Sequence, residues 1–384
     1  MLALNDVAPP LRAVWTESDQ DRTARWPAEN NSPPPKRIIT ADDTLSADEA
    51  YRLVSQGTSL LWRGDFHNAR QLLQALARRI DKPKKAPRKK AEPPSPLEAF
   101  NRHRLHQSQR TQLLNRLLIE LDGNAAIALR RAPDVAEACQ AALGQVGEPF
   151  LLSLRALQGI IGAHEWQKKG VAIPTLAHNI HVHYGVFSPN RGEYIDLVAQ
   201  APLPTKELAF DIGTGSGVLA AVLAQRGVRK VIGTDQDPRA LACARENIDR
   251  LGLSQVIDLQ TADLFPVGVS ALIVCNPPWL PAKPTTPIER AIYDPESRML
   301  LGFLNGLASH LTPDGEGWLI MSDLAEHLGL RSRDFLLQAI ATAGLRVVDR
   351  MDARPKHPKA MDETDPLYGA RRLEVTSLWR LAQA

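Results

Sequence analysis

Apolar residues recur along this chain in two textures. Up to about residue 163 the spacing is helical. SADEAYRLVSQGTSLLWRGDFHNARQLLQALARRI carries Leu72, Leu73, Leu76 and Ile80 on one stripe, and Ser46 with Glu49 three residues on forms a capping-box pattern at its start. LEAFNRHRLHQSQRTQLLNRLLIEL reads as a further helix, and residues 133–163 add PDVAEACQAALG and PFLLSLRALQGIIG. These runs predict a mostly helical substrate-recognition domain over 46–163. Residues 1–45 are polar and proline-rich (ENNSPPPKR) and read as a flexible tail, in which Trp15 and Trp26 are placed to dock on a surface.

From residue 164 onward strands and helices alternate. HNIHVHYGVF alternates like a strand, and SPNRGEYIDLVAQAP leads into a short helix. LAFDIG precedes GVLAAVLAQRG, and KVIGTD precedes PRALACARENIDRLGL; VIDLQTAD and ALIVCNPP follow. The helices SRMLLGFLNGLASHL and SRDFLLQAIATAG flank the strand EGWLIMSD, and LRVVDRM and RRLEVTSLWRL come last. Short apolar strands alternating with helices predict an α/β, Rossmann-like, doubly wound sheet over 164–384. The final two strands have no helix between them, which predicts an antiparallel edge pair.

Composition narrows the class. With 384 residues, 44% hydrophobic and 23% charged, the chain has the balance of a globular protein of two or three domains. No run approaches the ~18 apolar residues of a membrane span. MLALNDVAPPLR lacks a basic stretch followed by an apolar one, so no secretory signal is expected. Cys139, Cys243 and Cys275 are dispersed and odd in number, which fits the cytoplasm better than a disulfide framework. Residues 1–200 hold 26 basic against 21 acidic side chains. The surplus gathers at Arg78, Arg79, Lys82, Lys84, Lys85, Arg88, Lys89 and Lys90, in and beside a Pro/Lys linker over 81–96. Such a run neutralises phosphates, or serves as a tether extended by self-repulsion.

The strand LAF runs into Asp211-Ile-Gly213-Thr214-Gly215-Ser-Gly217, and a helix opens immediately after. Glycines allow a tight turn and a close approach of ligand to backbone. Val218 stands where a dinucleotide fingerprint needs a third small residue, and the acidic Asp211 suits a ligand carrying ammonium and sulfonium groups better than a pyrophosphate. Asp235, at the end of the second strand, is placed to accept bonds from ribose hydroxyls; Asp263, after the third, is available to an adenine amino group. Acids at successive carboxyl ends of parallel strands line one crevice. Each has an ordinary alternative as a cap or loop aspartate, for which Asp237 is the better-placed helix cap.

The fourth strand runs into Asn276-Pro277-Pro278-Trp279. A conjugated amino group is a poor nucleophile because its lone pair is delocalised. The Asn276 side-chain oxygen and the Pro277 carbonyl, held by proline rigidity, offer two acceptors for its N–H groups. They favour a pyramidal nitrogen and stabilise the charge that develops on methylation. Trp279 offers a face for a flat base or carboxamide.

These segments, DIGTGSG, TDQDPRALACARENIDRLGL, ADLF and IVCNPPW over 208–279, resemble class I S-adenosylmethionine-dependent methyltransferases of the amino-methylating type. Closest in texture are the HemK-like glutamine methyltransferases and the small-domain methyltransferases of rRNA. The resemblance implies S-adenosylmethionine, held by Asp211, Gly213, Thr214, Gly215, Gly217, Asp235, Asp263 and Asn276, with Asn276, Pro277, Pro278 and Trp279 as the catalytic corner at the acceptor nitrogen. VFSPNRGEYIDLV loosely resembles the HemK-like segment that covers the active site, with Asn190 inserted between Pro189 and Arg191. Trp279 stands where that family has Tyr. RNA, as rRNA or tRNA, is therefore the first partner expected, and a translation protein the alternative; DNA adenine, a small molecule and a non-catalytic RNA-binding module rank lower. No metal is expected: His178, His181 and His183, with His164, lack a completing ligand set. Tyr184, Arg191 and Glu193 line a substrate entrance or anchor a loop, and RPKHPKAMDETDPLYG is a lid or a hairpin loop.

Overall fold

A computed structural model describes residues 10–27, 32–82, 94–284, 288–355 and 361–384. They divide into two compact units. The first comprises the described residues up to 82 with Arg104–Glu165; the second comprises 94–103 with Trp166–Ala384.

The first unit is not mostly helical. Its elements are β1 (Arg12–Glu17), β2 (Gln20–Arg25), β3 (Ile38–Ala41), α1 (Ala47–Ser55), β4 (Ser59–Trp62), α2 (Phe66–Asp81), the end of α3 (Pro96–Leu114), β5 (Leu117–Leu121), α4 (Ala136–Leu143), β6 (Phe150–Ser153) and most of α5 (Leu154–Lys169). The described strands form one six-stranded sheet in the order β1-β2-β6-β5-β4-β3. Two expectations are thereby corrected. The helical reading of 46–163 absorbed SLLW, LLIEL and FLLS, which are short, almost wholly buried strands lying against helices in sequence. Periodicity cannot separate such runs from a buried helix segment. The described part of 1–45 is not a flexible tail either. Ala13 and Trp15 alternate inward along β1 and pack with Ala24, Leu61, Leu118 and Leu151. The β1–β2 connection is the pair Ser18-Asp19, both at positive φ (51° and 59°), the twist a two-residue hairpin needs without the usual Asn-Gly signature. Of the expected basic linker, residues 83–93 lie outside the described residues. Arg79 sits on α2 and pairs with Asp48 at 2.6 Å.

In the second unit, β7 (Val171–Ile173) and β8 (His178–Ile180) form a small hairpin, so the expected HNIHVHYGVF strand is cut to three residues. Then follow α6 (Glu193–Gln200), β9 (Leu208–Ile212), α7 (Val218–Gln225), β10 (Lys230–Asp235), α8 (Pro238–Arg250), β11 (Ile257–Thr261), β12 (Ser270–Cys275), α9 (Arg298–His310), β13 (Leu311–Ser322), α10 (Leu324–His327), α11 (Arg333–Thr342), β14 (Leu345–Ala353), α12 (Tyr368–Arg371) and β15 (Thr376–Gln383). The sheet order is β11-β10-β9-β12-β13-β15-β14. From β11 to β13 neighbours are parallel; β15 is antiparallel to both β13 and β14, which gives the expected antiparallel edge pair, although the four-residue α12 lies between β14 and β15, where no helix is expected. Helices cover both faces over two cores, one including Leu219, Val222 and Trp318, the other Phe210, Phe303 and Trp379. Chain order reverses between β9 and β12. An open α/β sheet leaves its ligand crevice at that point, outside the strand carboxyl ends. Of RPKHPKAMDETDPLYG, residues 356–360 lie outside the described residues, while Leu367, with Ala370 just beyond, is buried against Phe100, Leu280 and Leu324.

Candidate active site

Strand register brings the sequence-marked residues to one rim. Ile212 pairs with Cys275 on one side and Thr234 on the other, so Gly213, Asn276 and Asp235 emerge side by side where β9, β12 and β10 end. Asp235 in turn pairs with Thr261, two residues before Asp263.

The glycine loop exists because its backbone cannot accept side chains. Gly213, Gly215 and Gly217 all have positive φ (70°, 57° and 80°), a conformation β-carbons disfavour. A Cβ on Gly213 would also fall 2.6 Å from the Met299 methyl. Gly217 begins α7 without a side-chain cap. Asp211 supplies one from inside the sheet: its Oδ2 accepts from the Ala220 N–H at 3.0 Å and from the Thr214 hydroxyl at 2.7 Å. Asp211, 1% exposed, thus ties the loop to the helix.

Burial pushes the Asp211 carboxyl up to about 6, against the pull of the bonds from Thr214 and Ala220, and the charge of Asp235 adds to the rise. The ordinary value is 3.8. Between these values the native chain holds a proton that the unfolded chain releases. The stability this group contributes is full below the ordinary value and is lost as pH rises through about 6, a difference of about 3 kcal/mol. Both hydrogen bonds fall on one oxygen, which an asparagine retains. Asp211→Asn is therefore expected to gain on the wild type as pH rises from 4 to 7, read as the difference in melting temperature across that range. A difference independent of pH would contradict this assignment.

Asp235 is half-buried. Its Oδ2 accepts from the Gly215 N–H at 3.1 Å and its Oδ1 from the Asp237 N–H at 2.9 Å, while burial raises its carboxyl above the ordinary value. Asp237 caps α8 through the Arg239 N–H, as its sequence position suggests. Asp263 is exposed; one oxygen meets the Gln236 amide and the other faces Arg298 at 3.4 Å.

At the end of β12, Asn276 Oδ1 accepts the Trp279 indole N–H at 3.0 Å. The indole donates only, which fixes the end of the amide that faces it. Arg191 lies over the Trp279 ring at 5.0 Å. Pro277 is buried and Pro278 half-buried, and the chain beyond is pinned by the Leu280 N–H to Ile292 at 3.2 Å and the Asp294 N–H to Leu280 at 2.8 Å. Asp294 then holds the N–H groups of Met299 and Leu300, fixing the start of α9 over the glycine loop. Sequence reasoning gave no signal for Met299 or Asp294.

The expected histidines diverge: His181 Nδ1 meets the Gln167 carbonyl at 2.6 Å, and His183 faces Glu246 at 3.0 Å. Among the described residues no group of three His, Cys, Asp or Glu is arranged to hold a metal. No described helix is long and apolar enough to cross a membrane.

The second unit is thus a Rossmann-like α/β sheet with a glycine loop after its first strand, an acid after its second and Asn-Pro-Pro-Trp after its fourth. Residues 196–277 match the family described as ribosomal protein L11 methyltransferase (PrmA). A release factor glutamine methyltransferase of Cereibacter sphaeroides is 30% identical over 183 residues, covering 44% of this chain and 63% of that protein. A ribosomal protein L11 methyltransferase of Symbiobacterium thermophilum is 42% identical over 67 residues, covering 17% and 22%. The crystal structure of a ribosomal protein L11 methylase from Lactobacillus delbrueckii subsp. bulgaricus covers 54% of this chain and 86% of its own, with 21% identity and a TM-score of 0.38. The matches to these two curated relatives span at most 63% of the relatives' length.

Proposed function

We propose that this protein transfers a methyl group from S-adenosylmethionine to a planar amino nitrogen, and that the nitrogen is an exocyclic one on an RNA base. The observation that carries the reading is Asn276, one strand from the glycine loop, with its side-chain oxygen held by Trp279. An amide oxygen has two lone pairs. One receives the indole N–H and the other is left for an acceptor N–H, with the Pro277 carbonyl as the second acceptor.

The fit of the donor rests on the loop itself. Three positive-φ glycines keep side chains out of the crevice, and each Asp235 oxygen spends one lone-pair direction on a backbone N–H, which leaves the other for a ribose hydroxyl. When bound there, the donor supplies an electrophilic methyl carbon. The amino lone pair forms the N–C bond as the S–C bond breaks, and the surplus N–H proton leaves to solvent. Asn276 and Pro277 stabilise the positive charge that builds on nitrogen.

RNA is favoured by the basic run from Arg78 to Lys90, which suits phosphate neutralisation. A translation protein with a glutamine acceptor is the second reading, favoured by the likeness to release factor glutamine methyltransferases. We place the activity in the cytoplasm, in keeping with three buried, unpaired cysteines. The test is transfer of labelled methyl into total RNA and into ribosomal and release-factor proteins from a strain lacking this gene. Label confined to RNA supports the first reading and label confined to protein the second; label in neither overturns both.

A further inference from the structure

The most firmly held side chain at the acceptor corner does not come from β12. Arg191, in the segment just before α6, is 21% exposed. Its Nε donates to Glu193 at 2.8 Å and one terminal nitrogen to Glu374 at 3.0 Å; these carboxylates are 4% and 2% exposed. The same Glu374 oxygen accepts the Ser322 hydroxyl at 2.6 Å, which ties the cluster to the end of β13. The guanidinium lies 5.0 Å from the centre of the Trp279 ring, and that ring's N–H reaches Asn276.

Each link has a physical reason. A guanidinium is planar and forked, so it can hold two carboxylates and lie on an aromatic face at once, which an ammonium cannot. Burying one cation with two anions is an inefficient way to stabilise a fold, because desolvation offsets most of the attraction. Its effect here is directional. With the indole clamped, the N–H occupies a fixed lone pair of Asn276 Oδ1, and the remaining lone pair has a fixed direction.

We propose that Arg191 is a positioning residue for methyl transfer: by stacking on Trp279 it sets the indole N–H that aims Asn276 at the acceptor nitrogen. This rests on the methyl-transfer reading above.

The test uses the full chain, with Arg191→Lys, Trp279→Phe and the double variant. Lysine keeps the charge beside Glu193 and Glu374, so folding is preserved while the flat stack is lost; phenylalanine keeps an aromatic face, smaller than the indole, and has no N–H to donate. With labelled donor and total RNA, or with the protein fraction if that is what the wild type labels, each single variant is expected to lose about tenfold or more in kcat. KM for the acceptor and Kd for S-adenosylhomocysteine should stay within twofold. The double variant should be no slower than the slower single one, because both act through one hydrogen bond. The Trp279 indole N–H resonance, identified by its loss in Trp279→Phe, should move in Arg191→Lys. Full kcat with an unmoved resonance, losses that multiply, or a loss of donor affinity would overturn the proposal. A wild type that labels neither RNA nor protein overturns methyl transfer instead, and the resonance still reports whether Arg191 clamps the indole.

Discussion

Asn276→Ala is expected to lower methyl transfer by a factor of about 10² to 10³ in kcat while leaving the affinity for S-adenosylhomocysteine within twofold. The magnitude is that of removing one preorganised group aimed at developing charge. Geometry supplies the reason for the split. Asn276 follows Cys275 at the end of β12, whereas the groups assigned to the donor, Gly213 to Gly217 and Asp235, follow β9 and β10. Truncation also strips the Trp279 N–H of its acceptor at 3.0 Å. Some thermal stability is therefore expected to go with activity, less than the about 1–3 kcal/mol of a fully buried unsatisfied donor, because this pair is half-buried. Asn276→Asp, which keeps an oxygen for the indole, should restore that stability and only part of the turnover. Single-turnover kinetics beside calorimetry decide the matter: a variant that binds donor poorly but turns over normally once saturated would remove Asn276 from the acceptor side.

The residues behind this expectation were legible in the sequence because parallel strands end where their chemistry begins. Three glycines after LAFDI and two prolines after IVCN fix both the end of each strand and the polar residue beside it. Asp211 was marked as a site residue, yet its role as a cap for α7 depends on a hydrogen bond to Ala220, which only the folded turn reveals. Glu374 was out of reach, since it meets Arg191 across 183 residues. The strands of the first unit are hidden in the sequence for a different reason. The strands β5 and β6 are four or five residues long and lie at most two residues from helices that end or begin on apolar positions, Leu113 and Leu114 before β5 and Leu154 after β6, so the buried strand and the helix write the same letters. In β1 the inner face is only Ala13 and Trp15, while the apolar Val14 points outward, so no alternation of apolar and polar residues marks the strand.

For Asp235→Ala the balance reverses: Kd for S-adenosylhomocysteine is expected to rise about 30- to 100-fold, with kcat at saturating donor within a few-fold of the wild type. A hydrogen bond to a charged group contributes about 1.5–3 kcal/mol, and a 30- to 100-fold change corresponds to about 2–2.7 kcal/mol, inside that range. The loss has two parts. Alanine offers no acceptor to a ribose, and it releases the Gly215 and Asp237 N–H groups that the carboxylate now fixes at 3.1 and 2.9 Å. Asparagine separates them poorly, because its NH2 end must face one of those N–H donors, so Asp235→Asn should bind little better than alanine. Burial holds the Asp235 carboxyl above its ordinary value, so protonation, and with it weaker donor binding, sets in at a higher pH than for an exposed aspartate; in Asp235→Ala that acid limb of the binding curve should flatten. Calorimetric titration at several pH values reads both effects. An unchanged Kd joined to a collapsed kcat would move Asp235 from the donor to the acceptor, and would mean that the crevice is occupied in the opposite sense from β10 to β12.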